Sequence, residues 1–194
     1  MDFMLTKEIV RRITKGAMQY RVSMDELKKG APLTDGYKKD FCTYYGMDSY
    51  SPYKDDAWRE IYFGVFEEAR ADKEITFEKI LKTLYEKTEG RVEVSSAGKI
   101  IANIDLTKPV WDNAVLKNLH SEYAEVPAKF SVGANKEKGL EDAVKVYNAV
   151  VEAIEKLSKT PEAEDYIRDF DALCYDFEDF PKEKKIELYL CAKK

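Results

Sequence analysis

The hydrophobic positions of this chain recur every three or four residues, which is the spacing of one face of an α-helix. One clear stripe runs from Leu140 to Leu157 and another from Phe77 to Leu84. Alternation with a period of two, which is typical of strands, is almost missing, and only residues 91–94 are compatible with a short extended piece. The pattern therefore predicts an all-α protein.

Polar residues that cap helix N-termini stand directly before several of these stripes. Thr6 and Thr34 each precede apolar residues at helical spacing, and Ser23 with Glu26 has the spacing of a capping box. We therefore expect a helix after each cap. The capping box predicts a separate short helix that begins at Ser23 and stops at the Gly-Ala-Pro of residues 30–32.

The helical pattern is interrupted between residues 121 and 137, where apolar residues are scattered and Pro127 and Gly133 occur. We interpret this segment as a long connection between two halves of the molecule. The sequence thus predicts a single helical domain over residues 1–194, with lobes at 1–120 and 137–194.

Composition agrees with a folded helical body and limits its chemistry. The chain has 194 residues, 44% of them hydrophobic, with 9 Gly and 6 Pro, which is ample for a core and unlike a disordered protein. Its three cysteines and single His120 lack the spacing of metal ligands. We therefore expect no metal, no cofactor and no Ser-His-Asp triad.

The start of the chain lacks a basic segment followed by a long apolar run, and no later segment approaches 18 consecutive apolar residues. We expect a cytoplasmic protein with reduced thiols and no membrane partner.

Charge is distributed unevenly along the chain. Residues 139–194 contain 14 acidic and 9 basic side chains, which accounts for the whole net charge of −5. This acidic half is a candidate contact for a basic protein partner. An acidic total weakens non-specific attraction to phosphate, but a local basic face can still bind it. Four basic clusters are candidates for such a face, the alternative for each being a solvated helix surface. They are Arg11–Arg12 with Lys15, Lys28–Lys29, Lys38–Lys39, and Lys182 with Lys184–Lys185.

Residues 108–119 place one carboxylate at a defined point. A proline turn leads to Asp112 at the start of a short helix whose apolar residues Val115, Leu116 and Leu119 share one face. The carboxylate can accept the free amide hydrogens of the helix start. Its simplest interpretation is an N-cap that contributes about 1 kcal/mol to stability.

The same residues, Pro-Val-Trp-Asp through Leu119, resemble the P-V-x-D-x-x-V-x-x-x-L element of the helix-hairpin-helix DNA glycosylase superfamily. The small-residue helix at residues 95–102, of a kind that allows close backbone approach, is similar in order and spacing to the hairpin-exit helix of those enzymes. Residues 184–190 look like the ending of small uncharacterised bacterial proteins distantly related to the superfamily. The resemblance implies a compact, two-lobed, all-α fold, a role in DNA repair, and Asp112 as the catalytic carboxylate.

Two departures from that family limit what the resemblance implies. The family's L-P-G-x-G hairpin needs glycine so that its amides can approach a DNA phosphate. Residues 89–93 here read Glu-Gly-Arg-Val-Glu, which is a degenerate hairpin with two acids. Ser95 stands where bifunctional members have a catalytic lysine, and Lys99 follows one turn later. The implied reaction is therefore simple base release, with no Schiff base and no strand cleavage.

Base release by such an enzyme passes through an oxocarbenium-like state that a fixed carboxylate stabilises. The target base must also be flipped into a pocket lined by rings. Candidate substrate-binding residues are Trp111, Lys99, Tyr44, Tyr45, Tyr50 and Tyr53. For each aromatic the alternative is core packing or a surface position, and for Lys99 it is an exposed helix lysine.

A competing interpretation is a non-catalytic binding or protein-interaction module on a glycosylase-like or other all-helical fold. The acidic balance, the degenerate hairpin and the single candidate catalytic residue favour it, since a shared fold does not establish activity. The glycosylase interpretation predicts that Trp111 and Asp112 line a cleft between the helices before residue 120 and those after residue 137. The alternative is that Trp111 lies wholly in the core.

Overall fold

A computed structural model describes residues 1–47 and 55–193 of the chain. Over these residues it contains nine α-helices, one 3-10 helix and no strand, which confirms the all-α prediction. The helices are α1 (Lys7–Lys28), α2 (Asp35–Tyr44), α3 (Asp56–Ala71), α4 (Phe77–Lys87), α5 (Val94–Ile104), α6 (Asn113–His120), α7 (Lys136–Leu157), α8 (Pro161–Leu173) and α9 (Lys182–Ala192). The 3-10 helix, at Tyr175–Phe177, lies between α8 and α9.

Of the three capping signals predicted from the sequence, those at Thr6 and Thr34 mark helix starts and the one at Ser23 does not. The side chains of Thr6 and Thr34 each accept the backbone N–H three residues ahead, as predicted. The prediction of a separate helix beginning at Ser23 is wrong, because α1 continues through this point. The Ser23 hydroxyl lies 2.9 Å from the Tyr37 hydroxyl. The Glu26 carboxylate accepts Thr34 N at 2.9 Å, so both residues bind the next helix instead of capping their own.

The C-terminal helix α9 lies at the centre of the molecule. Eight of its eleven residues are buried, although the helix is rich in charge. It packs against α1 and α6, which precede residue 121, and against α7 and α8, which follow residue 135. Helices buried on all sides are normally apolar throughout. Here Lys184, Lys185 and Glu187 are only 0%, 3% and 1% exposed.

This burial corrects one prediction about the basic clusters. The ammonium of Lys185 donates to Asp171 Oδ1 at 2.5 Å and to the Glu178 carbonyl at 2.8 Å. Lys184 is likewise enclosed. Neither lysine forms a solvated face, and neither is accessible to nucleic acid.

Close contact between α5 and the loop before α6 depends on Gly98. A Cβ atom at this position would lie 2.5 Å from Trp111 N and 2.6 Å from Trp111 Cβ. The backbone of the loop therefore rests directly on α5, in agreement with the role expected of its small residues.

The Trp111 ring then enters the core. The planes of Phe77, Trp111 and Tyr147 are parallel within 8°, and Phe130 meets the indole edge-on at 5.1 Å. This stack ties the loop to α4, to α7 and to the connection at residues 121–137.

Gly98→Ala should lower the free energy of unfolding by about 2 kcal/mol, because overpacking of a tight contact costs roughly 1–3 kcal/mol. Gly64→Ala is the matched control, since Gly64 is also helical but nothing lies within 4 Å of its added Cβ. Relief of glycine's helix penalty should stabilise that variant by roughly 0.5–1 kcal/mol. Urea denaturation measures both, and equal effects of the two substitutions would contradict the contact.

Glu26 should make the free energy of unfolding fall at low pH. The ammonium of Lys29 and then the backbone and hydroxyl of Thr34 hydrogen-bond its carboxylate, which lowers the pKa of Glu26 to about 2. A depressed folded-state pKa means that its contribution is complete above the ordinary value near 4.5 and is lost as the pH falls toward 2. Glu26→Gln should therefore flatten the fall of the urea midpoint between pH 4.5 and 2. A fall as steep in Glu26→Gln as in the wild type would contradict this contribution.

Candidate functional site

A cavity of about 460 Å³ lies between α1, the end of α2, the start of α5, the loop before α6, and α9. The cavity therefore lies between α1, α2 and α5, which precede residue 120, and α9, which follows residue 137. Five of the residues selected from the sequence line it together: Tyr44, Tyr45, Lys99, Trp111 and Asp112. Tyr50 and Tyr53 lie outside the residues that the structure describes.

Asp112 combines capping with an open position. It is the N-cap of α6, and its Oδ1 accepts Ala114 N at 2.6 Å. The side chain is exposed at the cavity. Across residues 1–47 and 55–193, its carboxylate makes no other hydrogen bond, so Oδ2 is available to a ligand or to water. A cap and a reactive carboxylate are thus compatible at this position.

Glu187 of α9 lines the cavity and belongs to a buried ion pair with Lys184. The Lys184 ammonium donates to Glu187 Oε2 and, at 3.0 Å, to the Lys108 carbonyl. It also lies 4.0 Å from the centre of the Tyr20 ring. The Tyr20 hydroxyl donates to Glu187 Oε1 at 3.0 Å, and Val110 N donates to Glu187 Oε2 at 3.4 Å. The polar atoms of the pair are therefore satisfied by α1 and by the loop that carries Asp112.

Three consecutive residues of that loop are held by buried side chains. Lys108 accepts from Lys184, Val110 donates to Glu187, and the carbonyl of Pro109 accepts the Tyr147 hydroxyl at 2.9 Å. The loop cannot shift without breaking bonds to both α7 and α9. Asp112, two residues beyond Val110, is positioned by this clamp.

Lys184 was a candidate only as part of a basic surface cluster, and the sequence did not identify Glu187, Tyr20 or Tyr147 as functional. The available signal was an opposite-charge pair three residues apart, Lys184 and Glu187, inside a run that is otherwise apolar at Ile186, Leu188 and Leu190. A solvated helix would place polar residues together on one face. The interleaving of charge with apolar residues is the feature that indicates burial here.

Tyr44, Tyr45 and Lys99 form one side of the cavity. The two phenol rings meet edge-on at 4.7 Å, and Asn103 Nδ2 donates to the Tyr45 hydroxyl at 2.9 Å. The Lys99 ammonium donates to Ser95 Oγ at 3.0 Å and lies 5.6 Å from the centre of the Tyr45 ring. The side therefore combines aromatic edges with hydrogen-bond donors.

The environment keeps the cavity's phenols and thiol protonated. Burial, followed by the nearby Cys191, Glu187 and Asp112, raises the pKa of Tyr44 above its ordinary range. The pKa of Tyr20 and that of the Cys191 thiol are also raised, mainly by burial and secondly by the charge of Glu187. At neutral pH these groups act as hydrogen-bond donors and not as nucleophilic anions.

Trp111 forms part of the wall, but the residue is only 7% exposed and its indole ring lies in the core stack with Phe77 and Tyr147. This packing does not support the prediction that Trp111 stacks on a flipped base. Its position on Gly98 instead makes it an anchor for Asp112.

The turn at residues 89–93, between α4 and α5, contains a single glycine. Glu89 and Gly90 have φ values of 54° and 84°, and Gly90 N donates to the Tyr85 carbonyl at 2.9 Å, which ends α4 in a Schellman-type turn. Glu93 accepts the Ser96 hydroxyl at 2.8 Å. The single glycine thus terminates a helix, and a carboxylate occupies the start of α5.

Comparisons with known proteins identify no relative: no protein-family model, no curated protein and no solved structure matches this chain. No helix in the described part of the chain is both long and apolar enough to cross a bilayer. Within those same residues, no three His, Cys, Asp or Glu side chains are grouped as metal ligands.

Removing one partner of the Lys184–Glu187 ion pair should lower the free energy of unfolding far more than replacing both partners by apolar residues. Glu187→Ala should cost about 3–5 kcal/mol, since it leaves the Lys184 charge buried and unpaired. Lys184→Met combined with Glu187→Leu should recover most of that loss, because apolar replacement of a whole buried pair is often neutral or stabilising. Urea unfolding measures both effects.

The double variant should nevertheless loosen the loop. Val110 N loses its acceptor, so hydrogen exchange at this amide should accelerate, while exchange at the Leu84-bonded amide of Thr88 should not change. An unchanged exchange rate at Val110 in the stably folded double variant would contradict a positioning role for Glu187.

Proposed function

We propose that this protein hydrolyses an N-glycosidic bond in nucleic acid and releases the base, with Asp112 as the catalytic carboxylate. The observation that carries the proposal is the geometry of Asp112. One oxygen is fixed by the start of α6, and the side chain is exposed at a cavity lined by phenols and an amine.

The reaction requires a carboxylate of this kind. As the bond from C1′ to the base nitrogen breaks, its electron pair leaves with the base and positive charge develops on the sugar. A carboxylate held close to that charge stabilises it and orients the water that adds to C1′. As the oxygen of that water bonds to C1′, a proton of the water passes to the departing base. Asp112 needs little reorganisation for this role, because the clamp and the Ala114 amide already hold it.

The cavity supplies a binding space of suitable kind. Its volume of about 460 Å³ falls in the range of small-molecule pockets, roughly 300–1,000 Å³. The protonated Tyr44 hydroxyl and the Lys99 ammonium can donate hydrogen bonds to the edge of a base. Lys99 is held by Ser95, and we assign it a binding role.

Asp112→Asn should abolish base release and leave stability nearly unchanged, because asparagine caps a helix about as well as aspartate. Asp112→Ala should also be inactive, and should lose roughly 1 kcal/mol of stability with the cap. The assay uses duplexes that contain uracil, oxidised guanine or alkylated adenine at low salt. The abasic product is detected by alkaline cleavage, and strands should stay intact before alkali.

Asp55→Asn is the matched control. Asp55 is the N-cap of α3 and accepts Trp58 N at 2.9 Å, but it does not line the cavity. This variant should keep full base release. Activity that survives in Asp112→Asn would contradict catalysis by Asp112. A wild-type protein that binds these duplexes without releasing any base would instead support the non-catalytic binding module.

A further inference from the structure

The face of α1 that borders the cavity is basic. Glu8, Arg11, Arg12 and Lys15 lie along it within two helical turns. Arg11 and Arg12 both bond to Glu8, at 3.0 and 2.9 Å, and the Arg11 side chain is 77% exposed. Lys15 is exposed one turn beyond Arg11. Three cations face one carboxylate in a chain whose overall charge is −5.

The other described residues of the cavity lining do not cancel this charge. Lys99 adds another cation, and the Glu187 charge is offset by the buried Lys184. Asp112 and Glu8 are the remaining acids of the described cavity lining, against four cations. The cavity opening is therefore a local region of positive potential on an acidic protein.

The other basic clusters are placed differently. Lys184 and Lys185 are buried. Lys38 and Lys39 border a separate groove between α2 and α3, which has acidic residues of its own. Lys29 is bonded to Glu26 at the far end of α1. Of the four clusters, the one on the first turns of α1 borders the cavity.

The hairpin is poorly suited to an anionic backbone. It presents Glu89 and Glu93 where a phosphate-binding hairpin has glycines, and its Gly90 serves the α4 terminus. Phosphate contacts near the cavity must therefore come from another element.

We propose that Arg11, Arg12 and Lys15 bind the phosphate backbone of nucleic acid, so that the strand reaches the cavity across α1 and not across the hairpin. The identity of the group that enters the cavity rests on the proposed function. Guanidinium groups bind phosphate in a bidentate manner, and exposed ion pairs such as those with Glu8 contribute little, so phosphate can replace that carboxylate. A basic track beside the rings of Tyr44 and Tyr45 is also typical of a surface that binds unstacked nucleotides.

The test measures binding, not base release. Fluorescence anisotropy with a labelled duplex containing an abasic-site analogue gives log Kd as a function of log salt for each variant. Arg11→Gln combined with Lys15→Gln should reduce the magnitude of that slope by about 1.8, since each lost phosphate contact contributes about 0.9.

Lys138→Gln combined with Lys145→Gln is the matched control. These exposed lysines of α7 also lie beside a carboxylate, that of Asp142, and their loss changes the net charge by the same amount. No residue of α7, a helix described over its full length, lines the cavity. The control slope should equal that of the wild type. An equal fall in both double variants would show a general charge effect and overturn the proposal.

Three further results would also overturn it: an unchanged slope in the α1 variant, no salt-dependent binding by the wild type, or equally effective competition by polyglutamate, which would indicate an acidic protein partner. Failure of the proposed function can be distinguished from failure of this inference. A protein that releases no base but loses duplex binding with the α1 substitutions would retain this surface as its nucleic-acid interface.

Discussion

The ion pair between Lys184 and Glu187 is the interaction on which the rest of this structure depends. Two charges removed from water destabilise a fold unless their remaining hydrogen-bonding capacity is met. Here the partners are the carbonyl of Lys108, the amide of Val110 and the hydroxyl of Tyr20. These groups come from two distant parts of the chain. Burying α9 therefore requires α1 and the Asp112 loop to be in place, and the same contacts enclose the cavity.

Local signals in the sequence predicted much of the fold. Caps such as Thr6 and Thr34 act through bonds within three residues, so a single sequence reveals them. Ser23 and Glu26 carry the same signal, but their side chains bind Tyr37 and Thr34, which are distant enough that local spacing does not show the choice. The burial of α9 was missed for the same reason, since the Lys108 carbonyl and the Val110 amide, which bond Lys184 and Glu187, lie more than 70 residues away.

In the candidate site too, local features could be predicted from the sequence and contacts between distant residues could not. Asp112 and the small-residue helix are recognisable because their arrangement is encoded in one short segment. Glu187 and Tyr20 reach the cavity only through tertiary packing, and their types alone predict nothing. Trp111 shows the limit of reasoning from residue type, because an aromatic beside a carboxylate suits a ligand or the core equally. Its contact with Gly98 and its ring stack show that the indole packs in the core, although the residue also lines the cavity.

The central position of α9 also affects how the protein acquires its shape during synthesis. Every other wall of the cavity is translated earlier, yet α9 supplies one wall and packs against the first helix. Contacts of such long sequence separation form late, since the entropy of closing the loop must be overcome first. A nascent chain that has not yet exposed α9 has local helices but no cavity. The carboxylate of Asp112 therefore stands in its mature surroundings only after translation has passed residue 192.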